Sequence, residues 1–146
     1  MLYSFILATF FSFQTTAAPH EPTGTIEINI QNLRNEKGQL LISVYRQADG
    51  FPNNPAKTYI TKSISVSTLK SPVRFESLPY GTYAISFLHD ENGNHRMDYN
   101  LLGMPQEGYA VSGQSMSLFS LPRYEKAKFE LNVSHQKLLI SMYYLR

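Results

Sequence analysis

Seven short runs of the chain alternate apolar and polar residues with a period of two, and no window of similar length carries a 3.6-residue stripe. A period of two puts every apolar side chain on one face of an extended strand, so this pattern restricts the chain to sheet. Ile26, Ile28 and Ile30 share one face, with Glu27, Asn29 and Gln31 on the other. Leu40, Ile42 and Val44 follow the turn Asn35-Glu36-Lys37-Gly38, whose glycine can take the positive φ of a hairpin loop. These two runs are therefore expected to pair as a hairpin. Further runs are Ile60, Ile64 and Val66; Val73 and Phe75; Tyr83, Ile85 and Phe87; Phe129, Leu131 and Val133; and Leu138, Ile140, Met142 and Tyr144.

With 146 residues, 42% of them hydrophobic, the chain suffices for one domain with a core. Short strands separated by turn residues predict an all-β fold. The expected architecture is an antiparallel β-sandwich of about seven strands, of the transthyretin (prealbumin) or immunoglobulin kind.

The amino-terminal end reads differently. Met1 to Ala18 carry no charge, and Leu2 to Phe13 form an apolar run of the length a secretory signal needs but short of a bilayer span. Residues 1–18 are expected to be a cleaved signal peptide and 19–146 the domain, periplasmic or secreted, with no transmembrane anchor after cleavage.

One connection breaks the regular spacing. Between Asp90 and Lys126 lies a stretch far longer than the usual connection of about 2 to 6 residues, and it is expected to form one long flap over about residues 90–126. Its Tyr99, Tyr109, Phe119 and Tyr124, with Leu101, Leu102, Met104 and Val111, indicate that it packs on the sandwich, and Tyr99, Leu101, Leu102, Met104 and Tyr109 suggest that it covers a small apolar ligand.

Composition excludes several chemistries. The 13 basic and 11 acidic residues give a net charge of +2, and the basic residues are scattered, so nothing marks a nucleic-acid surface. With no Cys there are no thiolate metal sites, disulfides or cysteine nucleophiles. The chain has no G-x-S-x-G elbow, no H-E-x-x-H and no P-loop.

The densest polar cluster runs from His89 to Asp98. Asp90, Asn92, Asn94 and Asp98 stand at relative positions 1, 3, 5 and 9, the spacing by which a loop wraps oxygen ligands around calcium, with the Arg96 backbone carbonyl at position 7. The loop departs from an EF-hand: Gly93 stands at position 4, His95 at 6 and Leu101 at 12, so only weak calcium binding is expected unless Glu107 folds back. Two other readings stand beside calcium. One is a bare polar turn in which Asp90 and Asn92 bond their own backbone, and the other is a transition metal held by His89 and His95.

The blocks Leu33-Arg34-Asn35-Glu36-Lys37-Gly38-Gln39-Leu40, Gly50-Phe51-Pro52, Phe75 to Ile85, His89 to Asn94 and Leu102 to Tyr109 occur in an order that resembles the exported bacterial family catalogued as domain of unknown function 2141. The resemblance covers the chain from about Thr25 to the carboxyl terminus. It implies export and a prealbumin-like sandwich, and it implies no activity. In that family the polar loop usually has Gly after the second Asn, where this chain has His95.

The functional expectation is a non-enzymatic binding or structural module with a weak calcium loop or a rigid turn. The alternatives are a carrier of a small apolar ligand, and a hydrolase whose site under the flap uses His89, Asp90 and Glu107. Tyr109 joins His89 and Glu107 as a ligand-binding candidate. The partner is open between a second copy paired through a sheet edge and another component of the cell envelope.

Overall fold

Each alternating run contributes a strand whose apolar face turns inward, with Val66 buried just beyond its strand and Val133 beyond its own and exposed. The computed structural model describes residues 20–113 and 121–145; the expected signal peptide 1–18 and flap residues 114–120 lie outside the described residues. The strands are β1 (Thr23–Gln31), β2 (Gln39–Tyr45), β3 (Ile60–Ser65), β4 (Val73–Pro79), β5 (Gly81–Asp90), β6 (Gly108–Val111), β7 (Phe129–Leu131) and β8 (His135–Ser141). They form a three-stranded sheet in the order β4-β1-β8 and a five-stranded sheet in the order β3-β2-β5-β6, with β7 paired to the start of β5. The inward residues of both sheets, among them Ile26, Ile28, Ile42, Val44 and Ile85 with no exposed surface, join in one core. The fold is the expected all-β sandwich.

Three expectations about connectivity change. The β1–β2 hairpin does not form: β1 pairs with β4 on one side and β8 on the other, while β2 lies in the opposite sheet. Asn32 takes a φ of 61° directly after β1, and Leu33 then packs against the core, so the chain turns across the layers instead of back along the sheet. Gly38 does have the expected positive φ, but a Cβ there would overlap the Asp90 carbonyl oxygen; the glycine permits close passage beside the end of β5.

The second change is a parallel pair. β8 runs parallel to β1 in unbroken register from Thr25–His135 to Gln31–Ser141. On the outer face Glu27 ties the three strands together, accepting from Arg74 of β4 at 3.0 Å and contacting His135 of β8 at 3.3 Å.

The third change is that the stretch 90–126 is not one flap. It contains β6, which pairs with β5 from Ser86–Val111 to His89–Gly108, and a single helical turn, α1 (Tyr124–Ala127). Ser112 fastens this return: its hydroxyl accepts the Ile85 N–H at 2.8 Å and donates to the Ala127 carbonyl at 2.8 Å. Ala84, Val111 and Ala127 form a small second core on the outer side of β5, with Phe51 and Tyr124 packed against it. The free connection from β5 to β6 shortens to residues 91–107.

Gly108 begins β6 against the Tyr144 ring, which a Cβ at that position would overlap. Gly108→Ala is expected to destabilise the domain by about 1 to 3 kcal/mol through overpacking, measured by urea unfolding, although the residue is neither in a turn nor at positive φ.

Candidate functional site

β5 carries His89 and Asp90 to the end of the five-stranded sheet, where register places Leu40 opposite His89 and Gln39 opposite Asp90. Both residues are fully buried. A buried carboxylate requires donors on all of its lone pairs, and the following loop supplies them. Asp90 Oδ1 accepts the N–H groups of Gly93 at 2.8 Å and Asn94 at 3.1 Å; Oδ2 accepts the His95 N–H at 2.8 Å and the Gln39 amide at 2.8 Å. Burial pushes its carboxyl up, but Gln39 and the three backbone donors outweigh this and hold it below the ordinary Asp range.

The loop then closes on itself. Asn92 Oδ1 accepts the Asn94 N–H at 3.1 Å and Asn94 Oδ1 accepts the Arg96 N–H at 3.0 Å, while both side-chain amides donate to the Asp98 carboxylate. Gly93 and His95 take φ values of 76° and 62°, which allow successive N–H groups to point inward at Asp90.

Glu107 does fold back from the far end of the connection. Oε1 accepts the Glu91 N–H at 2.9 Å and Oε2 the Asp98 N–H at 3.2 Å, with 4% of the residue exposed. Burial pushes its carboxyl up, the two N–H groups pull it back, and the Asp90 and Asp98 charges push it further, leaving it above the ordinary range. Outside this ring, Arg34 donates from Nε to Glu91 at 2.7 Å and from Nη2 to the Gln106 carbonyl at 2.8 Å, and Asn35 donates to Glu91 at 2.9 Å. Burial pushes Glu91 up, and Asn35 and Arg34 more than reverse that.

The remaining candidates separate. His89 Nε2 lies 2.8 Å from the Lys37 carbonyl, which can only accept, so Nε2 donates; Nδ1 lies 2.6 Å from the Tyr144 hydroxyl. His95 is exposed beside the Gln39 amide at 3.2 Å. Tyr109 lies in β6, where its backbone exchanges two hydrogen bonds with Tyr143 and its ring meets the Tyr143 ring edge to face. His89, Asp90 and Glu107 thus meet at one end of the sandwich but bond to different groups, and none bonds another. Among the described residues no group of three or more His, Cys, Asp or Glu side chains is arranged to hold a metal ion.

The apolar residues of the stretch divide: Val111 and Tyr124 pack in the second core, Tyr109 meets Tyr143 and Met104 is half-buried, while Phe119 lies outside the described residues and the other three do not pack as expected. Leu101 and Leu102 are 106% and 85% exposed and Tyr99 is 52% exposed, because a tight turn over 99–105 directs them away from the sheets. An open groove of about 420 Å3 lies elsewhere, lined by Ile60, Lys62, Arg74, Phe75 and Glu76, with no described residue of the flap in its wall.

Sequence reasoning missed Gln39, Asn35, Arg34, Lys37 and Tyr144. Their partners are 51 to 57 residues away. Only Gln39, directly after the turn glycine, offered a local hint.

The two packed sheets, with a polar loop closed over two buried carboxylates at one end, define a small all-β sandwich module. Over residues 28–138 the chain matches the family described as uncharacterized protein conserved in bacteria (DUF2141), and it belongs to that family. No curated protein and no solved structure matches it. No helix among the described residues is long and apolar enough to cross a membrane.

Asp90→Asn turns an NH2 group toward backbone donors and is expected to cost about 2 to 3 kcal/mol near neutral pH, read by urea unfolding. A lowered folded pKa gives a contribution that is complete above the unfolded value near 3.8 and is lost as pH falls through the lower folded value. The difference between wild type and variant should therefore stay constant at neutral pH and shrink only below that value.

Proposed function

We propose that the protein is a non-enzymatic binding or structural module, periplasmic or secreted, in which the Asp90–Asp98 loop is a rigid brace for the connection to β6 rather than a calcium site. The observation that carries this reading is the saturation of Asp90: four donors occupy its two oxygens, three of them backbone N–H groups that must point at the carboxylate for the loop to keep its shape. Calcium at the same oxygens would have to displace those donors and leave N–H groups facing a cation.

The contacts of the other candidates support the same reading. A hydrolase needs an acid or base within reach of substrate, whereas His89, Asp90 and Glu107 are buried with their polar atoms turned to structural partners. A carrier under the flap needs apolar side chains turned inward, whereas Leu101 and Leu102 turn outward.

The test is thermal unfolding of metal-stripped protein titrated with calcium, with magnesium, zinc and chelator as controls. The expected outcome is an unchanged midpoint with every metal, and a midpoint lowered by roughly 10 °C in Asp90→Ala from a loss of about 3 kcal/mol. A calcium-specific rise abolished by Asp90→Ala and Asp98→Ala would assign the loop to the ion instead; at one hundred times the dissociation constant it would add about 2.7 kcal/mol.

A further inference from the structure

The turn over 99–105 shows its most apolar residues to solvent and is held rigidly while doing so. Asn100 Oδ1 accepts the N–H groups of Leu102 at 2.9 Å and Met104 at 3.0 Å, the Asn100 N–H reaches the Met104 carbonyl at 2.9 Å, and the Gly103 N–H reaches the Asn100 carbonyl at 2.9 Å. Tyr99 and Pro105 form a bridge below it, and the Gln106 N–H bonds the Asp98 carbonyl at 2.9 Å, joining the turn to the Asp90 brace. Among the described residues nothing covers Leu101 or Leu102. Two fully exposed adjacent leucines on a preordered tip are a contact feature, since they contribute nothing to the core.

Shape and charge select the partner. The tip exposes three large apolar residues, far short of the roughly 800 Å2 per partner of a stable protein interface, whereas a bilayer accepts a protruding wedge without needing a matching surface. Tyr99 stands at the base of the wedge with a half-exposed ring, the level at which tyrosines meet lipid headgroups. The carboxylates around the tip are withdrawn: Asp90 and Glu107 are buried, Glu91 is paired with Arg34, and Asp98 takes the Asn92 and Asn94 amides. Arg96, by contrast, keeps 78% of its side chain exposed, with Asp98 no nearer than 4.0 Å, so a cation beside the wedge is available to lipid phosphate.

We propose that Leu101 and Leu102, with Tyr99 at the headgroup level and Arg96 on phosphate, insert into the surface of an anionic phospholipid bilayer. This names the partner class of the binding module above and rests on that reading. The two can fail separately, because metal binding is read by the midpoint and insertion by a probe on the tip.

The chain contains no Cys, so Leu102→Cys gives a unique site for an environment-sensitive fluorophore in the full chain, with Leu139→Cys, 68% exposed on β8, as the control. Vesicles of phosphatidylcholine with phosphatidylglycerol should blue-shift the probe at 102 and expose it to a lipid-borne quencher, but leave the probe at 139 unchanged. Leu101→Ser should weaken vesicle partitioning of the labelled tip about tenfold, and Arg96→Glu should remove its preference for phosphatidylglycerol. A probe at 102 that stays in water with vesicles present overturns the proposal, even if the apolar run Leu2 to Phe13 holds the chain on the vesicle. So does a probe that becomes buried without lipid as protein concentration rises, which would assign the tip to a second copy.

Discussion

A carboxylate without exposed surface can stand at the end of β5 only if donors surround it, and that requirement organises this end of the molecule. Gly93, Asn94 and His95 turn their N–H groups onto Asp90, which sets the path of the loop; Gln39 adds the fourth donor, which fixes the loop to β2. Glu107 repeats the device from the other side, joining Glu91 to Asp98 through one side chain. The connection 91–107 is thus held by two buried acids rather than by a core of its own. It is also held at a cost, since the charges of Asp90 and Asp98 act against ionisation of Glu107.

The same end is fastened to the rest of the sandwich by a second set of bonds. His89 donates to the Lys37 carbonyl and shares a hydrogen bond with the Tyr144 hydroxyl, so one imidazole joins the β1–β2 crossing, the end of β5 and the carboxyl-terminal segment. The Arg34 guanidinium lies 4.8 Å from the Tyr144 ring centre while bonding Glu91 and the Gln106 carbonyl. Three segments distant in sequence therefore depend on one another here.

The strands were legible because period-two alternation reports burial of one face, and it located seven of the eight. β6 escaped because Gly108-Tyr109-Ala110-Val111 is only four residues long and has Gly and Ala where a strand would show large apolar residues; at Gly108 the Tyr144 ring leaves no room for a Cβ, and Ala110 is buried in the main core. Alternation does not report pairing. β1 and β2 carry the same pattern that they would carry in a hairpin, and only the φ of Asn32 and the packing of Leu33 separate them into two sheets. In the loop, the positions of Asp90, Asn92, Asn94 and Asp98 are the same for an ion cradle and for a chain of side-chain-to-backbone bonds. What distinguishes the two is where the N–H groups point, and that depends on Gly93 and His95 adopting positive φ and on Gln39 arriving from another strand.

The misreading of Leu101 and Leu102 follows from the same physics. Apolar residues in a long loop normally signal packing, because burying them is how a loop is held down. This connection is held by Asp90, Glu107 and Asn100, all accepting backbone N–H groups, so its leucines are released from any role in folding. Polar groups turned inward and apolar groups turned outward invert the usual arrangement at this one end of the sandwich. A tip whose rigidity does not depend on its own leucines can transfer them into another apolar phase without loosening the fold, which a tip held down by those leucines could not do.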